Sequence, residues 1–94
     1  MKRTAVLVTT IHRGVFFGYA EGDVVKGNIT LKDARNCIYW SADVKGFLGL
    51  ASNGPTEGCK IGPKVLSLKL LGVTSVASVT NEAAEKWEKH PWSL

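Results

Sequence analysis

The sequence predicts a mostly β protein, a small five-stranded, strongly bent barrel that carries a short C-terminal helix. Three observations lead there. Short runs of β-branched and aromatic residues recur along the chain, and glycine and proline punctuate the intervals between them. A helical period appears only after residue 80. The strands are expected at about 4–10, 15–20, 28–40, 65–71 and 73–79, and the helix at about 81–89.

Thr4 to Thr10 alternates β-branched residues and opens the set. Gly14 can turn the chain into Val15-Phe-Phe-Gly-Tyr19, where Gly18 would weaken a flat strand but suits a bend or bulge. Asn28 to Leu31 begins a third strand that resumes at Cys37 to Trp40, with a bulge or bend between Asp33 and Asn36. Residues 46–62 hold five glycines and end in Gly62-Pro63, which reads as an ordered loop of tight turns. Val65 to Leu71 and Val73 to Val79 are the last strands, broken at Gly72. Thr80 or Asn81 then caps a helix with acids in its first turn, and Pro91 stops it.

The 94 residues make one domain, near the lower end of what folds around a single core. At 45% hydrophobic and 21% charged, the composition is globular and too apolar for disorder. A formal charge of +4 suits weak attraction to anionic surfaces, but the twelve basic residues are scattered and form no run. The apolar run after Arg3 is too short for a signal peptide or a membrane span, so the expected location is the cytoplasm, with Cys37 and Cys59 reduced. No repeat or βαβ alternation appears.

The order of these residues resembles the Sm-like fold, a five-stranded bent barrel that assembles into rings and usually binds RNA. That family has a glycine in its second strand and, ten residues on, an Asn-aliphatic-x-aliphatic tetrad. Here Gly18 is followed at that spacing by Asn28-Ile-Thr-Leu31, then Lys32-Asp-Ala34. The family's second motif is an aliphatic run, a glycine and a further aliphatic run, matched by Leu66 to Leu71, Gly72 and Val73 to Val79. Three departures stand out. The chain opens with a strand where the family has a helix. Val24 stands in place of the family's aspartate before the tetrad, and Leu71 in place of its arginine before the glycine. The resemblance therefore implies a homo-oligomeric ring and an RNA ligand, with Asn28 the one pocket residue carried over. The stretches His12 to Gly18 and Asp33 to Trp40 are also similar to short phage and prophage proteins, which implies a mobile-element accessory protein that binds and blocks a host protein.

The candidate ligand-binding residues are Asn28, Arg13, Arg35, Tyr39 and Trp40. Outward aromatics beside cations would suit base stacking, or equally a subunit interface. Within Phe16-Phe17 and Tyr39-Trp40, one ring of each pair should face the core and the other outward. Asp33 and Arg35 would share a face and read as a bulge held by an ion pair, with a catalytic pair the lesser alternative. Cys37, Cys59, His12 and His90 show no ligand spacing, so no metal and no cofactor is expected. Cys59, in the glycine-rich stretch, reads as the more accessible thiol. No catalytic site assembles from these residues, and the expectation is a non-enzymatic protein.

Overall fold

The computed structural model describes residues 4–11, 14–20 and 26–91. The chain runs β1 (Thr4–Thr10), β2 (Val15–Ala20), β3 (Ile29–Tyr39), a 3-10 turn (Ala42–Val44), α1 (Gly46–Ser52), β4 (Lys60–Ile61), β5 (Val65–Leu70), β6 (Val73–Ser78) and α2 (Asn81–Lys89). The protein is thus mostly β, an antiparallel sheet with short helices, and the expected strands and terminal helix fall within a residue of their observed ends. His12-Arg13-Gly14 and Glu21-Gly22-Asp23 read from the sequence as turns, and residues 12–13 and 21–23 of them lie outside the described residues.

Two elements differ from expectation. The count of strands rises to six because Lys60–Ile61 makes a short ladder with the end of β3. The stretch 46–62 is not only turns but contains α1. Its glycines hid that helix, yet one of them makes it workable. A Cβ at Gly49 would overlap the Val44 carbonyl, so the helix can pack onto the preceding turn only there.

The sheet runs β4-β3-β2-β1-β6, and β5 pairs with β3 on the side that β4 also uses. β5 and β6 hence bound the sheet, although only Leu71 and Gly72 separate them in sequence. The sheet must curl to bring these two ends together. Gly72 permits the junction with a left-handed φ of 66°.

Bending originates in β3. Between β2 and β3 the register shifts at Gly18, and Asp33 takes a left-handed φ of 49°, the signature of a bulge. The bulge expected between Asp33 and Asn36 therefore exists, and it breaks the alternation. Ala34 and Arg35, consecutive residues, are both buried. Gly18 is required at the same place, since a Cβ there would sit 2.8 Å from Leu31 Cβ.

The two faces of the curled sheet carry separate cores. The inner one draws only on strand residues, among them Val6, Val8, Leu31, Ala34 and Leu70. The outer one joins Leu7, Phe17 and Cys37 to Leu50 of α1, to Ile61 and to Trp87 of α2. Because each face carries a core at this point, the expectation for Phe16 and Phe17 is corrected. Phe17 is fully buried in the outer core, and Phe16 packs against the inner one instead of facing solvent.

α2 is seated by its own chemistry. The Thr80 hydroxyl accepts from Ala83 N at 3.1 Å as its N-cap. Ala83, Ala84 and Trp87 turn one face inward. The Trp87 ring stacks on Phe17 with centroids 5.2 Å apart, and its indole N–H donates to Leu50 O at 3.1 Å. Trp87 and Trp92 both read from the sequence as pins for this helix, and Trp92 lies outside the described residues.

Candidate functional site

The expected ligand residues do not converge. Asn28 stands just before β3 and Tyr39 closes it, so the two lie at opposite ends of that strand. Tyr39 is 54% exposed, whereas Trp40 is partly buried against the outer core. Arg13 lies outside the described residues.

Arg35 is the principal correction. It is 4% exposed, and its donors point inward, to backbone carbonyls. Nε donates to Gly62 O at 2.8 Å, and Nη1 to Trp87 O at 2.7 Å and His90 O at 2.5 Å. The reason lies in Pro91. In a helix the Trp87 carbonyl would accept from the amide four residues on, and proline has none. The Arg35 guanidinium supplies the missing donor and places a cation at the C-terminal, electronegative end of α2. Burial draws its pKa below the ordinary guanidinium value. Arg35 is therefore a tie between β3, the β4–β5 connection and α2, not a surface cation. The expected Asp33–Arg35 pairing on one face fails for the same reason, because the bulge turns Arg35 inward.

Beside this tie the residues 41–59 form a polar cluster that sequence spacing did not bring together. Asp43 accepts hydrogen bonds from the hydroxyls of Ser41 and, at 3.1 Å, Thr56. Those bonds, Ser41's first, hold its carboxyl below the usual carboxylate range. Thr56 N donates to the Cys59 sulfur at 3.4 Å, and Thr56 O lies 2.9 Å from His90 Nε2. His90 Nδ1 faces Pro91 O, also at 2.9 Å. Both ring nitrogens of His90 are thus engaged with carbonyls, so His90 does not address the Cys59 thiol as a general base would. Cys59 itself is 3% exposed, which corrects its reading as the accessible thiol.

An open groove of about 860 Å³ runs beside the cluster, between residues 55–57 and the length of α2 from Glu82 to Lys89. Glu57, Glu82, Glu85, Lys86 and Lys89 line it with mixed charge. No group of three or more metal-ligating side chains occurs among the described residues.

Cys37 has a measurable consequence. Burial first, and the neighbouring Cys59 second, push its thiol up to about 12 from 9.0. An acid whose pKa is raised by folding stabilises the fold below its unfolded value, and that contribution is lost as pH rises from about 9 toward 12. The slope of unfolding free energy against pH over that window should be steeper in the native protein than in Cys37→Ala, as measured by urea melts at stepped pH. Equal slopes would exclude burial of a neutral Cys37 thiol.

These features define a class: a small antiparallel-β protein whose curled sheet is braced on one face by two helices and a buried arginine. The chain belongs to the family described as Domain of unknown function (DUF6948), whose model matches residues 3–87. No curated protein and no solved structure matches it. Among the described residues no helix is long and apolar enough to cross a membrane.

Proposed function

We propose that this chain is a non-enzymatic, ring-forming small β-barrel that binds RNA or another anionic ligand. β1, β2, β3, β5 and β6 are read as the five barrel strands, and β4 as an extension of the bent β3. One observation carries the reading. β5 and β6 pair inward with β3 and β1, and each keeps its outer edge open while residues on the inward-facing side remain uncovered. Val76 pairs with Val8 of the inner core yet is 41% exposed, and Leu66, two residues before the inner-core contact Leu68, is 80% exposed. Open apolar edges template pairing with another chain, and a second copy offers the complementary edge. Repetition of a β5-to-β6 contact around an axis closes a ring and leaves no edge behind.

Native mass spectrometry tests the assembly. The expected spectrum is a single closed cyclic oligomer, shifted toward monomer by Val76→Lys and Leu66→Lys. A monomer at micromolar concentration and physiological salt would overturn the ring and favour recognition of a different protein.

A further inference from the structure

The outer face of the sheet is only partly covered. Its rows can be followed across the register. One row runs Leu7–Phe17–Arg35, and the helices close over it through Trp87. The next runs Ala5–Tyr19–Lys32–Ser67, and beyond it Thr30 pairs with Lys69. On the β1 side α1 lies close by, since Thr80 N reaches Ala51 O beside β6. On the β3 and β5 side Thr30, Ser67 and Lys69 are exposed and Lys32 is half-buried.

Lys32 and Lys69 are diagonal neighbours on this strip, near enough for one anionic chain to contact both. The Lys32 ammonium rests on Ser67 Oγ at 3.4 Å, and among the described residues the ion pair found is Lys64–Glu88, elsewhere on the surface. The segment from Gly58 to Asn81 supplies Lys60, Lys64 and Lys69 and not one acid.

We infer that the strip formed by Lys32, Lys69, Thr30 and Ser67 binds the sugar–phosphate backbone of single-stranded nucleic acid. This gives the anionic-ligand part of the proposed function its site, and it rests on that reading. Three features select this ligand. Lysine engages phosphate as a point charge, whereas planar carboxylates favour the arginine fork, and the chain has buried its β3 arginine. The two hydroxyls beside the lysines donate to phosphate oxygens. The strip is two strands wide, about 5 Å from strand to strand, so a single phosphodiester chain can lie along it. Contacts of this kind hold the backbone and read no sequence.

The test is fluorescence anisotropy of labelled oligouridine and oligothymidine titrated with the full chain at stepped salt, with labelled poly-glutamate and a duplex oligonucleotide as further probes. Binding of the single strands should weaken with salt. The double variant Lys32→Gln/Lys69→Gln should bind at least tenfold more weakly at low salt and lower the logarithmic salt slope by about 1.4, two single-strand phosphate contacts. The control Lys60→Gln/Lys64→Gln should keep most of the affinity, and circular dichroism should show both variants folded. Similar uridine and thymidine affinities support backbone recognition, and a strong difference between them would overturn it. Affinity lost in the control and kept in the Lys32/Lys69 variant would overturn the strip while leaving the anionic ligand in place. Poly-glutamate or duplex bound as tightly as the single strands would overturn the ligand. No oligonucleotide binding at low salt would overturn both the strip and the anionic-ligand reading, with the ring still judged by mass spectrometry.

Discussion

Arg35→Ala is expected to be among the most destabilising single substitutions in this chain, at about 3–5 kcal/mol, the range seen when one partner of a buried charged arrangement is removed. Folded domains of this size have about 5–15 kcal/mol to lose. The change leaves the carbonyls of Gly62, Trp87 and His90 without their donor, the first two in buried positions and the third part-buried. Pro91 ensures that the helix cannot satisfy Trp87 O itself. Arg35→Lys keeps the charge but offers one ammonium to three acceptors spread around a planar fork, so it should recover only part of the loss. Urea unfolding followed by circular dichroism gives the answer. A shift under 1 kcal/mol for Arg35→Ala would mean that the tie is not what holds α2 against β3.

Trp87→Ala should cost a similar amount by a different route. The ring is fully buried, stacks parallel on Phe17 and lies at the centre of the outer core, so its removal opens a cavity between sheet and helix. Truncation of a large buried aromatic costs about 3–5 kcal/mol. Trp87→Phe separates the contributions. It retains an aromatic ring against Phe17 and removes the indole N–H from Leu50 O, which keeps Gly54 N as a donor, so the expected loss is about 0.5–1.5 kcal/mol. If both variants melted like the native chain, α2 would be an appendage and not a lid on the core.

Much of the framework was legible because it depends on near neighbours. The alternation in Thr4 to Thr10, the glycine at position 18, the bulge near Asp33 and the Thr80 cap are local choices of backbone and side chain. α1 was not legible, since Gly46 and Gly49 depress helix propensity in seven residues that hold together by packing Leu50 and Ala51 into the outer core. β4 is two residues long and exists only as a partner to the end of β3.

The candidate residues divide in the same way. Arg35 reads as a surface cation only if it shares a face with Asp33, which needs extended backbone at both residues. One left-handed residue inverted the phase and sent the guanidinium inside. Lys32 and Lys69 lie 37 positions apart and so read as scattered charges, although Thr30-x-Lys32 and Ser67-x-Lys69 carry the same two-residue pattern of hydroxyl and cation. The acid-free segment that contains Lys69 was the available signal.

The sequence by itself determined which segments are extended, where the chain turns, and that the last helix begins at a cap at Thr80 or Asn81 and stops at Pro91. These follow from steric limits and from hydrogen bonds between residues a few positions apart. The tertiary structure alone decided which faces are covered, that a cation is buried under the end of α2, and that two distant lysines share an open strip. Such outcomes depend on sheet register and on desolvation, and both are properties of the assembled fold.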